Sequence, residues 1–189
     1  MIRMSKGQQK RRRRNRQWRD RFAAEVRELA EAMHPEADRE GGACVFLTAA
    51  ALHLFKKRGY RAIVQAGDMS WPIVTPEQDD GVSPTHFSYM WTPTSPQSMQ
   101  LIVQGAMPEV HAWIGLLGRQ ELADFSTGDF PEQCRITAGL EWLGPPPPRY
   151  LWTKPPLPAG VIYTPHREAT LYMMEAVAEV LRTHKEILP

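Results

Sequence analysis

The sequence predicts an α+β domain, with helices near both ends of the chain and antiparallel strands between them. Apolar residues recur every three or four positions over residues 18–33, which is the spacing of one helix face. Over residues 85–91 apolar side chains alternate, as they do in strands. A chain of 189 residues, of which 42% are hydrophobic, is long enough to enclose one full core.

Positive charge is concentrated at the N-terminus. Residues 1–21 hold ten lysines or arginines and one acid, a net charge of +9, so the rest of the chain carries −7. Residues 1–16 have no apolar periodicity, and we expect them to form a disordered basic arm followed by a single domain over 17–189. Such a run can neutralise several phosphates without reading sequence, which favours contact with a polyanion or nucleic acid. A tail that only aids solubility is the alternative.

Two helices are predicted in the first third of the chain. The first is predicted from Trp18 to the residues just before Pro35. The second begins at Cys44 and ends near Arg58, with Gly59 as its cap. Two glycines and an alanine lead into that cysteine, so the thiol is expected in the first turn of a helix.

Short strands are predicted to follow. They are segments 60–67, 85–91, 110–117 and 121–126. The residues Gly118-Arg119-Gln120 join the last two as a hairpin, and loops are expected over 72–85 and 92–100. The proline-rich stretch GPPPPRYLWTKPPLPAG is expected to be extended and to run over the surface.

A last helix is expected to open with Thr164 as its N-cap and Pro165 as its first residue. Its predicted apolar face consists of Leu171, Met174, Val177, Ala178 and Leu181.

Cys44, His111 and Asp124 form the candidate catalytic set. His111 begins one strand of the predicted hairpin, and Asp124 lies thirteen residues later on the other strand. Neighbouring strands are about 4.8 Å apart, so the register allows the two side chains to meet across the hairpin.

The chemistry explains why these three residue types belong together. A thiol attacks as its thiolate, which a helix N-terminus and a neighbouring imidazolium both favour. His111 would accept the thiol proton and later return it to the leaving group, while Asp124 would fix the tautomer of the imidazole ring. The backbone N–H of Cys44 would donate to the developing oxyanion.

These motifs resemble the transglutaminase-like branch of the papain-like cysteine protease superfamily. The family pattern is a cysteine that begins a helix, a strand reading HAW plus an aliphatic residue, and a strand ending in aspartate. Here it reads GACVFLTAAALHLFKKRGYRAIV, HAWI and ELADFS, within residues 40–130. The resemblance implies a Cys44–His111–Asp124 triad and a papain-like core, in which a Cys-bearing helix packs on an antiparallel sheet, with further helices at the two ends of the domain.

The chain is also similar to the leader peptidases of lasso-peptide clusters and, more distantly, to the arylamine acetyltransferases. Two features depart from the pattern. No glutamine stands just upstream of Cys44 to act as a papain-type oxyanion donor, and the loops at 72–85 and 92–100 lengthen the segment before His111. The resemblance implies a hydrolase of amide or peptide bonds, or a transferase that passes the acyl group to an amine.

Other interpretations stay open for the same residues. Cys44 is a core residue if it has no partners, and a zinc site of Cys44, His86, His111 and Asp124 is conceivable although no close ligand pair occurs. Asp68 and Asp129 are alternatives to Asp124. His53 is expected to be solvated, Cys134 to be structural, and Trp113 to form part of the core or of a cleft wall.

The remaining expectations concern function class and compartment. We expect a cysteine-dependent enzyme with no cofactor and no metal, acting on a peptide or amide. A non-catalytic nucleic-acid- or ribosome-associated protein and an inactive peptide-binding member of the same fold are the alternatives. No apolar run approaches the ~20 residues of a membrane span, so no membrane contact is expected. Two cysteines and no signal-peptide pattern favour free thiols in the cytoplasm.

Overall fold

The computed structural model describes residues 5–35, 43–75, 81, 85–91 and 110–189 of the chain. The α+β class is confirmed. The helices in these ranges are α1 (Lys6–Met33), α2 (Ala43–Lys57), α3 (Phe130–Gln133) and α4 (Arg167–Thr183). The strands are β1 (Ala62–Pro72), β2 (His86–Tyr89), β3 (His111–Leu116), β4 (Glu121–Asp124), β5 (Leu151–Thr153) and β6 (Ile162–Pro165).

Helix α1 begins twelve residues before Trp18, so residues 6–16 are helical rather than disordered as expected. Ser5 caps the helix: its hydroxyl accepts from the Gln8 backbone N–H, and the Gln8 side chain accepts from the Ser5 N–H. This capping box satisfies two otherwise unpaired backbone donors. Arginine, lysine and glutamine also have high helix propensity, so the missing apolar stripe did not exclude a helix that continues out from the core.

An antiparallel sheet forms the centre of the fold, in the order β2-β1-β3-β4-β5, and β6 also pairs with β1. Strand β2 and strand β6 both pair with Met69 and Ser70, so they must lie on opposite edges of β1. The central strand β1 is longer than predicted because it meets three partners in turn. It pairs with β3 over Ala62–Gly67, with β6 over Gly67–Ser70 and with β2 over Met69–Pro72.

The two faces of the sheet are covered by different parts of the chain. One face packs under α1, α2 and α4, and its core includes Phe22, Phe55 and Ile114, each 1% exposed or less. The opposite face carries a second apolar cluster around Phe130 and Cys134. Alternation along β1 explains the division: Ala62, Val64 and Ala66 belong to the first cluster, and Met69 and Trp71, at odd positions, belong to the second.

The C-terminal third differs from the sequence expectation in two places. Thr164 and Pro165 are the last residues of β6, and α4 begins after His166, which is its N-cap residue. The buried face of α4 is accordingly Ala169, Met173 and Val177, and Leu171 and Met174 are about half exposed.

The proline-rich stretch is extended, as predicted, but part of it enters the sheet. Residues Leu151 and Trp152 of β5 are buried and pair with β4. Most of the predicted loop over 72–85, and all of that over 92–100, lie outside the described residues. Among the described helices, none combines the length and the apolar character that crossing a membrane requires.

Gly67 is the point where β6 and the start of α4 come closest to β1. A Cβ atom on Gly67 would lie 2.2 Å from the Thr164 carbonyl oxygen and 2.8 Å from the His166 backbone nitrogen. That nitrogen donates to the Ala66 carbonyl at 2.9 Å, and the Thr170 hydroxyl contacts both backbone groups of Ala66. A side chain at Gly67 would therefore separate the C-terminal segment from the sheet.

We expect Gly67→Ala to lower the free energy of unfolding by about 1–3 kcal/mol, because the clash is with backbone atoms that cannot rotate away. Gly7→Ala is the matched control, since a Cβ there meets nothing closer than 4.0 Å and alanine favours a helix. Urea denaturation of both variants measures the difference. Equal stability of the two variants would contradict the close approach of β6 to β1.

Candidate active site

Helix α2 places Cys44 at the start of the candidate site. Cys44 is the second residue of the helix, so its backbone N–H has no carbonyl partner within α2. The Thr48 hydroxyl, one turn later, donates to the Ala112 carbonyl at 3.3 Å. That bond fixes the first turns of α2 against the first residues of β3. The Cys44 side chain stays partly exposed.

His111, the first residue of β3, is 1% exposed. Its Cα pairs with that of Gly67 in the sheet, so no side chain from β1 stands directly opposite it. Aromatic rings surround the imidazole instead. Tyr89 and Trp113 lie nearly parallel to it at centroid distances of 5.2 and 6.1 Å, and Phe130 meets it edge-on at 5.4 Å. Trp113, only 1% exposed, is thus both core and wall of the site.

The His111 Nε2 atom lies 2.7 Å from the Asp124 Oδ2 atom, and Asp124 is also 1% exposed. The hairpin register differs slightly from the expected one. Ile114 pairs with Ala123 and Leu116 with Glu121, so continuing the register sets Asp124 opposite Trp113 and diagonal to His111. A diagonal pair on one sheet face is within reach of long side chains, which is why the contact still forms.

Cys44 completes the arrangement from the helix side. Its thiol lies close enough to the His111 ring to contribute to the raised pKa of that imidazole. Because Nε2 is engaged by Asp124, the other ring nitrogen, Nδ1, is the one left to face the thiol. The three residues singled out in the sequence are therefore brought together in the order cysteine, imidazole, carboxylate.

The Asp124 carboxylate has a full set of donors. Oδ1 accepts from the Ser126 backbone N–H at 2.9 Å and from the Ser126 hydroxyl at 2.7 Å. Oδ2 accepts from the Tyr163 hydroxyl at 2.6 Å in addition to His111. A buried carboxylate held by four donors remains ionised and fixed in orientation.

Burial and charge oppose each other in setting the pKa values of the pair. Burial lowers the pKa of His111, but the Asp124 charge and hydrogen bond, followed by those of Cys44, outweigh it and raise the pKa from 6.5 to about 10. Burial likewise raises the pKa of Asp124, and His111, Tyr163 and Ser126 outweigh it, so that its pKa is lowered. Burial and then the Asp124 charge raise the pKa of Tyr163 well above 10, which keeps its hydroxyl a donor.

The competing acids are engaged elsewhere. Asp68 accepts from the Trp91 N–H and from His166 Nε2, and Asp129 forms an ion pair with Arg27 at 3.0 Å. Neither of these contacts involves His111.

The other histidines and the second cysteine also lie apart from the triad. The exposed His86 pairs with Pro72, five residues along β1 from Gly67, and bonds Thr85. His53 lies 3.3 Å from the Pro189 carbonyl, and Cys134 is fully buried in the second apolar cluster. Within the described residues no group of three potential ligands is arranged to hold a metal ion.

Tyr163 and Ser126 also belong to the candidate site, and the sequence analysis does not predict them. Ser126 carried a signal, because an aspartate two residues before a serine commonly accepts from that residue's backbone N–H in a turn. Tyr163 carried none, since it lies 39 residues from Asp124 and beyond the proline-rich stretch.

Comparison of the chain with protein-family models, with curated proteins and with solved structures gives no match in any of the three. The geometry of the site therefore carries the functional argument alone.

We expect Tyr163→Phe to lower the free energy of unfolding by about 1.5–3 kcal/mol, because it removes a hydrogen bond to a buried charge. Tyr172→Phe is the matched control, because Tyr172 is 39% exposed. Chemical denaturation at neutral pH measures both. If Tyr163→Phe lowers the free energy of unfolding no more than the control does, the hydroxyl does not support Asp124.

The His111–Asp124 pair predicts a pH-dependent stability. The lowered pKa of Asp124 stabilises the fold above about pH 4, and this contribution is lost as the pH falls further. The raised pKa of His111 stabilises the fold fully below about pH 6.5, and this contribution is lost as the pH rises through about 10. Asp124→Asn should therefore lower the free energy of unfolding most between about pH 4 and 6.5, by roughly 3 kcal/mol or more.

Asp129→Asn is the control for that pH series, since it removes a carboxylate from a partly exposed ion pair and should cost about 1 kcal/mol or less. Denaturation of both variants and the unmodified protein across this pH range gives the comparison. A constant cost of Asp124→Asn from pH 3 to pH 10 would contradict a charged pair.

Proposed function

We propose that the protein is a cysteine-dependent acyl-transfer enzyme that forms a thioester on Cys44 and acts on an amide or peptide bond. The observation that carries the proposal is the position of the His111 ring, which binds Asp124 through Nε2 and lies close enough to Cys44 for the thiol to raise its pKa. A nucleophile, its base and an orienting carboxylate in hydrogen-bonded sequence are the requirements for this chemistry.

The raised pKa of His111 bears on how the reaction would begin. An imidazole that keeps its proton through neutral pH places a positive charge beside the thiol, which is the setting in which cysteine nucleophiles are activated. The thiolate would attack the carbonyl carbon, forming the C–S bond and a tetrahedral oxyanion. The unpaired N–H of Cys44 would donate to that oxygen.

The imidazolium would then act as the acid. Collapse of the tetrahedral species would break the C–N bond, and His111 would give its proton to the departing amine. Neutral His111 would next take a proton from water, giving a carboxylic acid and free Cys44, or from an amine, giving a new amide. Both outcomes restore the starting enzyme.

Membership of the transglutaminase-like branch, with a papain-like core, is part of the same proposal. Its support is the order of elements: the cysteine at the start of α2, the histidine at the start of β3, and the aspartate at the end of β4. Helix α2 also contacts β3, as that arrangement requires.

The proposal is tested with p-nitrophenyl acetate, an activated ester that needs no specific recognition. We expect a burst of nitrophenolate stoichiometric with the protein, and an acetyl group on the Cys44 peptide in mass spectrometry. Cys44→Ala should abolish the burst, and His111→Gln should slow it roughly 100-fold or more.

Cys134→Ala is the matched control, because this thiol is fully buried and burial raises its pKa. It should leave the burst unchanged. A burst that survives Cys44→Ala, or acetylation that is equal on both cysteines, would leave only the interpretation of an inactive member of the fold.

A further inference from the structure

A basic trough lies between the N-terminal half of α1 and the segment that leads into β5. The trough has a volume of about 1050 Å³. From α1 it is lined by Arg12, Arg13, Asn15, Arg16, Arg19 and Asp20, and from the second segment by Pro148, Arg149, Tyr150, Leu151 and Trp152. Among these described residues five are arginines and one is an acid.

The arginines differ in what they already bind. Arg19 is committed to the fold: it donates to the Trp152 carbonyl, pairs with Glu121 and lies over the Trp152 ring. The exposed Arg12, Arg13 and Arg16 form no ion pair with an acid in the described part of the chain, and the same is true of Arg149. Four guanidinium groups therefore remain open to an anionic ligand.

The spacing of these groups suits a phosphate chain. Arg12 and Arg16 share one helix face, and the rise between them is about 6 Å. Phosphates in one nucleic-acid strand follow one another at steps of at least ~3.4 Å. Guanidinium groups bind phosphate oxygens through two parallel hydrogen bonds, so two of them one helical turn apart can each bind a phosphate of the same strand.

Tyr150 supplies the aromatic surface that the arginine run lacks. Its half-buried ring lines the trough, rests on Phe125 and is held by a 2.7 Å hydrogen bond from its hydroxyl to Asp20. That bond also engages the one acid of the trough. Arginines that track a backbone, beside a fixed ring on which a base can stack, are the elements of a single-strand binding groove.

The α1 arginines of the trough lie far from Cys44, although Leu151 on the other wall pairs with Asp124 in the sheet. Helix α1 ends at Met33, close to the start of α2, and its C-terminal turn lines a small pocket with Ala43 and Phe46. From Arg16 to Met33 the helix rises about 25 Å. A ligand in the trough would therefore lie at the far end of α1 from Cys44.

We propose that the trough binds single-stranded nucleic acid, through phosphate contacts to Arg12, Arg13, Arg16 and Arg149 and through stacking of a base on Tyr150. This binding does not depend on the cysteine chemistry. A concave channel with one aromatic ring fits a single strand better than a duplex. An acidic peptide would use the charges but would give Tyr150 nothing to stack on.

The test is fluorescence anisotropy of a labelled oligothymidylate of about 16 nucleotides with the full-length chain. Four phosphate contacts predict that affinity falls roughly 50-fold between about 50 and 200 mM salt. The combined variant Arg12→Gln, Arg13→Gln, Arg16→Gln should weaken binding and reduce the salt slope by about 2. Arg167→Gln, Arg182→Gln, Lys185→Gln is the control, since it removes the same charge from α4 and the turn that follows it and should leave binding unchanged.

A second pair of variants separates stacking from charge. Tyr150→Leu should weaken binding roughly tenfold, whereas Tyr150→Phe should weaken it much less, because it keeps the ring that contacts the base and loses only the hydrogen bond to Asp20. Circular dichroism shows that the variants fold.

Three results would overturn the proposal. They are equal losses in the α1 and α4 triple variants, tighter binding of a duplex than of the single strand, and displacement of the oligonucleotide by polyglutamate at equal charge concentration. Unchanged thioester formation in the α1 variant would show that the two sites are independent, and loss of thioester formation would contradict their separation.

Discussion

Burying the His111–Asp124 pair is the constraint on which much of the structure depends. Each side chain is 1% exposed, and an ionised carboxylate in such surroundings is tolerated only when its oxygens are satisfied. The donors come from two distant parts of the chain. Ser126 follows β4 directly, whereas Tyr163 arrives on β6 after the proline-rich stretch. The last third of the sequence therefore completes a site whose other members lie between Cys44 and Ser126.

Gly67 connects this polar site to the sheet. It pairs with His111 on one strand and with Pro165 on another, so β6 can approach β1 only because the residue there has no side chain. That approach sets the position of Tyr163 two residues before Pro165. Strand β6 thus depends on both residues: Gly67 lets it approach β1, and its Tyr163 donates to Asp124. A side chain at Gly67 would displace β6 and weaken the support of Asp124.

The sequence predicted those parts of the site that depend on local structure. A helix-start cysteine and a hairpin with a short turn are encoded within a few residues each, and this is why Cys44, His111 and Asp124 could be identified together. The register was close enough to permit the contact although Asp124 lies diagonal to His111. Tyr163 could not be identified, because its partner is set by the path of a proline-rich segment that has no periodicity. Thr164 and Pro165 carry the local signal of a helix start, but they are the last residues of β6, because pairing with β1 outweighs that signal.

The basic half of α1 is a part of the fold for which the prediction was wrong. Its charge predicts a disordered segment, but residues 6–16 are helical. A block of arginines repels itself, and positive charge near a helix N-terminus also opposes the helix dipole. The capping box at Ser5 and the contacts of Arg19 and Trp18 with Trp152 offset these costs at the two ends of the basic segment. The arginines between them gain no partner among the described residues, so their mutual repulsion remains in the free protein. A bound polyanion would remove that repulsion and would stabilise the N-terminal turns of α1 in the same step. The energy of ordering the helix and the energy of binding are thus coupled, and the coupling weakens as salt screens both.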